Sequence, residues 1–393
     1  MNKKDKIIFI NQSSELYGSD KTLLDLVVGL KANHNIDPIV ILQAPGLLNL
    51  ELDKHSIEYH YIPVLKVHKK MFTPKYLFEM AKDSVLSIKK LHKIVKENDV
   101  KIIYSNSFAV LLGNLYALLY SIKHIWHCHE IILSPKLFLI VYNLLLKSKL
   151  VDDVIYNSVA TMESWVKNDP VLKSKAHLVY NGIDLNIQPA NEDEVKQLRY
   201  ELFPTSNDQT LIYGNIGRIS DRKGIEILID AFQQIHQENP NTKLLFVGSP
   251  TPGKEDFQDK MFAKIERYKL TDHVKFVPFV NNVFPYWQTM DIAVIPSKEP
   301  EPFGLVAIEA MLVKKPIVAA DHGGLAEIVE HQSTGLKFRP NDLSDLVQKL
   351  KELSHQKETI HTYGENGYQR VHQLFDLNNY INGIATICKK YLK

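Results

Sequence analysis

Residues 291–309 read DIAVIPSKEPEPFGLVAIE. The run at 292–295 has the length and β-branched character of a buried strand. Pro296 and the loop Ser-Lys-Glu-Pro-Glu-Pro end it. A helical pattern follows, predicted to start near Phe303 or Gly304 and to run to Val313. The segment is therefore one strand–loop–helix unit. Glu301 falls just before the helix and Glu309 about five residues into it, so at 1.5 Å rise per residue they are separated by roughly 8–10 Å along the axis. That span suits a ligand with hydroxyls at both ends and phosphates between them. Carboxylates accept hydroxyls, and a helix N-terminus favours anions. Taken alone, the pair is equally one glutamate near a helix cap and another on an exposed face.

Working outward, the same alternation fills the chain. Strands are expected at Lys6–Asn11, Pro38–Leu42, Glu58–Ile62, Lys101–Ser105, His124–Cys128, Asp153–Tyr156 and His177–Tyr180. Helical periods lie between them at Lys21–Lys31, Tyr76–Glu97 and Ala109–Tyr120. After a polar linker from about Leu185 to Gln197 the pattern restarts. Strands are expected at Thr210–Gly214, Lys243–Val247, Val274–Val277, Ile292–Ile295 and Pro316–Ala319, and helices at Ile225–Gln237, Gln258–Tyr268 and Leu343–Leu353. From Lys357 onward the chain reads as mostly helical. Strands alternating with helices predict βαβ units and parallel sheets, so the fold class is α/β with two doubly wound, Rossmann-like domains. Such sheets bind ligands at their strand C-terminal edges, and two facing edges would form one cleft.

The second half opens with LIYGNIGRISDRKG, residues 211–224. Gly214 and Gly217 allow a tight turn past the strand end. Arg218 and Lys223 then place a planar fork and a point charge where a diphosphate would sit. This is neither a P-loop nor a G-x-G-x-x-G, so kinase and dehydrogenase readings lack their fingerprint. An ordinary charged turn is the competing reading.

Composition sets the bounds. The 393 residues are 45% hydrophobic and 23% charged, which fits about two well-packed domains. The net charge of +2 points to no nucleic-acid partner. The charge is uneven, however: the first 190 residues carry 23 lysines and no arginine against 18 acids, the remainder 24 basic and 27 acidic residues. From Lys66 to Lys101 there are 10 lysines and 4 acids. Lys66, His68, Lys69, Lys70 and the following helix are therefore candidates for an acceptor-lining or anionic-membrane surface; a solvated lysine-rich helix face is the alternative. Two cysteines, Cys128 and Cys388, do not make a disulfide scaffold and suit a reducing compartment. No apolar run reaches the roughly 18 residues of a membrane span, so a cytoplasmic protein, at most peripheral at the inner membrane, is expected.

The ordered set of motifs resembles the GT-B-fold retaining glycosyltransferases of family 4 (bacterial glycosyl transferases group 1). It comprises Gly217-Arg218-x4-Lys223-Gly224, the Glu301-x7-Glu309 element with its internal Phe-Gly, Gly323-Gly324-x-x-Glu327-Ile328 and Tyr180-Asn181-Gly182-Ile183-Asp184. The resemblance covers nearly the whole chain. It implies an acceptor domain at 1–185, a nucleotide-sugar donor domain at 186–375, and a terminal helix, about 376–393, packed back on the first. It also implies roles. Arg218 and Lys223 would neutralise the donor diphosphate, Glu309 would hold the ribose, and Glu301 would face the donor sugar. Phe303, Gly304 and Leu305, after Pro302, would supply backbone amides, and Gly18 and Gly217 would approach the phosphates. Ser19 stands where the family has a second glycine. His129-Glu130 matches the family's His-Asp element, with His129 placed against the donor sugar through its 6-position.

The implied activity is a hexosyl- or hexosaminyl transfer (EC 2.4) from a nucleotide-diphospho-sugar, UDP ahead of GDP. The acceptor would be a saccharide or lipid-linked saccharide of bacterial surface polysaccharide, lipopolysaccharide or glycolipid assembly. No cofactor and no metal are expected. The chain has no Asp-x-Asp, and strand alternation puts His127 and His129 opposite Cys128, a poor four-ligand set. Two alternatives stay open: a GT-B nucleotide-sugar epimerase and a non-catalytic nucleotide-sugar-binding protein. A hydrolase triad through Asp184 or Asp321-His322 lacks a nucleophile elbow.

Overall fold

Isoleucines at 7, 8 and 10 with Phe9 are all fully buried, a pattern only a strand covered on both faces explains. The computed structural model, which describes residues 4–16, 18–65, 74–132 and 136–392, places them in β1 (Asp5–Ile10) at the centre of a parallel sheet. The other strands of that sheet are β2 (Ile36–Leu42), β3 (Glu58–Tyr61), β4 (Ile102–Ser105), β5 (Lys123–Cys128), β6 (Asp153–Tyr156) and β7 (Ala176–Leu178). Their spatial order is β3-β2-β1-β4-β5-β6-β7. Alternation sends Ile7 and Phe9 to one face, under the helices Gly18–Asn33 and Leu377–Lys389. Ile8 and Ile10 go to the other, under Pro74–Asn98 and Leu112–Tyr120. Each such side chain contributes about 1.5–3 kcal/mol on burial.

The chain divides into two compact units, residues 1–182 with 377–393, and residues 183–376. Both crossings lie side by side: Ile183 N donates to Phe375 O at 2.8 Å, and Ile183 bridges Asp376. The last helix joins the first unit's core through Tyr380, Ile381, Ile384 and Cys388. Tyr391 Oη donates to Asp153 at 2.6 Å and fastens its end.

The second unit holds β8 (Leu211–Ile216), β9 (Thr242–Val247), β10 (Val274–Val277), β11 (Ile292–Ile295), β12 (Ile317–Ala320) and β13 (Gly335–Phe338). They form a parallel sheet in the order β10-β9-β8-β11-β12-β13. In each sheet the order reverses beside the first strand, at β1/β4 and at β8/β11, where doubly wound folds leave a crevice. The β8/β11 ladder has only two register pairs, Tyr213 with Ile292 and Gly214 with Ala293. Beyond them the Asn215 amide spans the gap and donates to Val294 O at 2.7 Å.

The structure departs from the sequence reading at a missed helix, a helix start and a missed strand. The expected linker over Leu185–Gln197 contains most of a helix, Glu192–Leu202, whose Asn191 and Glu194 form a reciprocal capping box. Arg199 ties this helix to the sheet through Asp291 and the carbonyls of Thr289 and Thr210. The helix predicted from Phe303 or Gly304 is Leu305–Leu312: Gly304 has φ +121°, which keeps it out of the helix, and Phe303 is buried beside the ring of Phe375. The edge strand β13 has no counterpart among the expected strands; at four residues, one of them the glycine at its start, it carries little β signal.

Candidate functional site

In the second unit the loops after β8 and β11 meet at the sheet's reversal. Residues Asp221–Lys223 make one 3-10 turn, and Gly224 starts the helix Ile225–Glu238. Gly224 has φ +69°, and a Cβ there would lie 1.8 Å from Pro296 O, so only glycine lets the two loops touch. Backbone and ion pairs then bind them. Lys298 N donates to Arg222 O at 2.9 Å, Lys298 pairs with Asp221 at 2.5 Å, and Arg222 pairs with Glu299 at 2.7 Å.

At the inner end of this seam Lys223 Nζ lies 2.6 Å from Glu301 Oε1, which also accepts from the Ser297 hydroxyl at 2.5 Å. Burial raises the Glu301 carboxyl, but the Lys223 charge and hydrogen bond, with Ser297, outweigh it and hold it below the ordinary value. Ser297 is buried, and its carbonyl is 2.8 Å from His322 Nε2. Gly323 (φ +59°) and Gly324 lie against this loop: a Cβ on Gly323 would be 2.3 Å from Glu301 O, and Gly324 N donates to that same carbonyl at 2.7 Å.

The helix Leu305–Leu312 has neither a side-chain cap nor an acidic residue in its first turn. Glu309 sits half-buried on it, and Arg218 is exposed just past β8. The fold thus gathers Gly217, Arg218, Lys223, Glu301, Pro302, Phe303, Gly304, Leu305 and Glu309 within two adjoining loops and the helix that follows the second.

Gly18 and His129 belong to the first unit. Gly18 is exposed and begins the helix Gly18–Asn33. His129 follows β5 and lies against His127 with ring centroids 3.8 Å apart and planes tilted by 45°, while Cys128 packs on the opposite face with Phe108 and Trp126. Loss of water pushes the His129 imidazole down to about 3, and that of His127 well below its usual value. The Glu130 carboxylate accepts from the Ser107 hydroxyl, from Phe108 N at 3.2 Å and from His129 N at 3.0 Å, so the longer side chain caps the turn after β4. Among the described residues no group of three or more His, Cys, Asp or Glu is placed to hold a metal.

A run of buried amides, missed in the sequence, leads away from His129. His129 Nε2 is 3.0 Å from Asn106 Oδ1, and Asn106 Nδ2 is 2.9 Å from Asn11 Oδ1 and 3.2 Å from Ser19 O. Asn11 Nδ2 is 2.9 Å from Asp20 Oδ1 and 2.8 Å from Ser13 O. Ser19 therefore contributes its carbonyl at the position where a glycine was expected. The only sequence signal was an asparagine directly after each of β1 and β4, the strands flanking the reversal.

Lys66, Lys69 and Lys70, with His68, lie outside the described residues. In the helix Pro74–Asn98 that follows, Lys82, Lys89, Lys90, Lys93 and Lys96 are exposed. No helix among the described residues is long and apolar enough to cross a membrane.

Residues 18–187 match the family described as Glycosyltransferase Family 4, and residues 201–370 the family described as Glycosyl transferases group 1. The structure of Anabaena Alr3699/HepE in complex with UDP and glucose superposes with a TM-score of 0.83 at 27% identity, covering 98% of this chain and 99% of that one. A D-inositol 3-phosphate glycosyltransferase of Jonesia denitrificans is 31% identical over 184 residues, 44% of this chain and 42% of that protein. The capsular polysaccharide biosynthesis glycosyltransferase CapM of Staphylococcus aureus is 27% identical over 214 residues, 54% of each. The matched stretches thus span about half the length of these curated relatives. From the two family matches, the two parallel sheets and the full-length superposition, the chain belongs to the GT-B-fold glycosyltransferases of family 4.

Proposed function

We propose that this protein transfers a hexose or N-acetylhexosamine, with retained anomeric configuration, from a UDP-sugar to a saccharide or lipid-linked saccharide. The observation that carries the reading is the Lys223–Glu301 pair at the β8/β11 reversal, beside a helix start with no side-chain cap. In this reading the diphosphate lies against Lys223, Arg218, Gly217 and the amides of Phe303, Gly304 and Leu305, which follow Pro302. Glu309 takes the ribose hydroxyls and Glu301, kept ionised by Lys223, takes sugar hydroxyls. Gly18 approaches the phosphates, and His129 meets the sugar.

The chemistry breaks the bond between the anomeric carbon and the phosphate oxygen, and the electron pair leaves with UDP. Lys223, Arg218 and the amides stabilise the charge that develops there, which makes a metal ion unnecessary. The acceptor hydroxyl attacks from the face the phosphate leaves and gives its proton to the departing phosphate oxygen, so no covalent enzyme nucleophile is required. UDP is favoured over GDP by the UDP-bound neighbour, and a surface-polysaccharide or glycolipid acceptor by the name of the capsular relative. The exposed lysines of Pro74–Asn98 supply a cytoplasmic, peripheral contact with anionic lipid.

The test is product analysis. The protein is incubated with UDP-α-glucose or UDP-α-N-acetylglucosamine and a bacterial glycolipid extract in EDTA, and products are read by NMR. The reading expects an α-linked product and released UDP. A β-linked product would overturn retention; conversion of the nucleotide-sugar alone would favour an epimerase.

A further inference from the structure

The amide run behind His129 has a direction that its end groups impose. Carbonyl and carboxylate oxygens only accept hydrogen bonds. The Asn11 side-chain atom that lies near both Ser13 O and Asp20 Oδ1 must therefore be its NH2, which turns Asn11 Oδ1 toward Asn106. Asp20 is fully buried and also accepts from the Ser13 hydroxyl at 2.7 Å and from Glu15 N at 3.2 Å, so its acceptor role is over-determined. The Asn106 atom that meets Asn11 Oδ1 lies near Ser19 O as well, so it too is NH2. Two independent carbonyls thus fix both amides. Asn106 Oδ1 is left pointing at His129 Nε2, 3.0 Å away, and an acceptor there requires Nε2 to carry the proton.

We propose that Asn106 is a positioning residue that fixes His129 as the neutral Nε2–H tautomer, so that its Nδ1 is the acceptor offered to a ligand. The tautomer stands on the geometry alone; the identity of the ligand, a sugar that brings hydroxyl donors, rests on the function proposed above. With Nε2 protonated, His129 Nδ1 is bare. Its neighbour Asn157 offers Nδ2 at a long 3.4 Å. Asn157 Oδ1 lies past the end of the run, in a side chain 2% exposed and without a hydrogen-bond partner. The bare Nδ1 suits a hydroxyl that donates. A carboxylate brought to the same place, as on a uronic acid, would set lone pair against lone pair. The run is Asp20, Asn11, Asn106 and His129, and the oxygen of each of its two amides faces toward His129.

The experiment is two-bond 1H–15N correlation NMR on ligand-free protein with 15N-labelled histidine, with His129 identified by the signals missing in His129→Gln. The expected result is a protonated Nε2 and an unprotonated Nδ1 in the wild type. In Asn106→Ala, shown folded by near-UV circular dichroism, His129 should instead show exchange between both tautomers. A proton on Nδ1 in the wild type would overturn the proposal, and so would an unchanged single tautomer in the folded variant. Should the variant fail to fold, the wild-type spectrum still decides. Because no donor is present, failure of this test is distinct from failure of the transferase reading, which would show as absence of UDP-sugar turnover.

Discussion

Lys223 and Glu301 lie 78 positions apart in sequence and 2.6 Å apart in space, each at the tip of a loop leaving one side of the β8/β11 reversal. With the Lys223 side chain 31% and that of Glu301 16% exposed, the pair is neither a surface contact nor a sealed core bridge. In the proposed function it holds a cation for phosphate and an ionised carboxylate for hydroxyls in one place, each offsetting the other's cost of leaving water.

Removing the cation should therefore harm both roles. Lys223→Ala is expected to lower kcat/KM with a UDP-sugar by about 10²–10³-fold, the usual effect of deleting one preorganised stabiliser of transition-state charge. A double-mutant cycle with Glu301→Gln should show strong coupling between the two changes. Purely additive losses would mean that the pair does not act as a unit.

Gly323→Ala should disturb the same carboxylate from the next loop. A side chain at φ +59° costs about 1–3 kcal/mol, and this Cβ would press on Glu301 O. Urea denaturation should report a loss in that range, and UDP-glucose titration a weaker donor affinity. Full stability and affinity in this variant would show that the loop yields without consequence.

Glu130→Asp tests the departure from the family's His-Asp element. The Glu130 carboxylate spans Ser107, Phe108 N and His129 N, and a side chain one methylene shorter cannot reach all three. Restoring the family residue is expected to cost about 1.5–3 kcal/mol, the worth of a hydrogen bond to a charged group. Equal unfolding midpoints for the two proteins would contradict this.

The acid limb of stability should follow His124, His127 and His129. His124 is lowered to about 4 and His129 to about 3, both by burial, and His127 lies well below 6.5 from burial and the nearby His129. Their folded values lie below the unfolded one. The stabilisation is therefore complete above pH 6.5 and is lost as pH falls toward 4, where the unfolded chain takes up protons the fold refuses. For fully buried His124 this amounts to about 3 kcal/mol. Urea midpoints should be flat from pH 7 to 8 and fall below pH 6.5. His124→Gln should reduce the steepness by about one proton.

The central parallel strands and the charged loops of the second unit were legible because their signals are local. Ile292–Ile295 is a β-branched run between loop residues, and Gly217-Arg218-x4-Lys223-Gly224 carries its chemistry within eight residues. The helix Glu192–Leu202 was also locally marked, by Asn191 and Glu194, but its polar surface hid it: it has no fully buried residue, and Arg199 ties it to the sheet. What no local pattern gives is the pairing. Nothing near Lys223 announces Glu301, and Asn11 reads as a strand end and Asn106 as a loop residue until β1 and β4 lie side by side.

The most direct measurement is isothermal titration of UDP-glucose into the wild type and Lys223→Ala, both in EDTA. The account predicts saturable binding by the wild type without metal and at least about tenfold weaker binding by the variant, a loss of about 1.4 kcal/mol or more. Equal affinities, or a folded wild-type protein that binds neither UDP-glucose nor UDP at millimolar concentration, would contradict the assignment of the donor site to the β8/β11 loops.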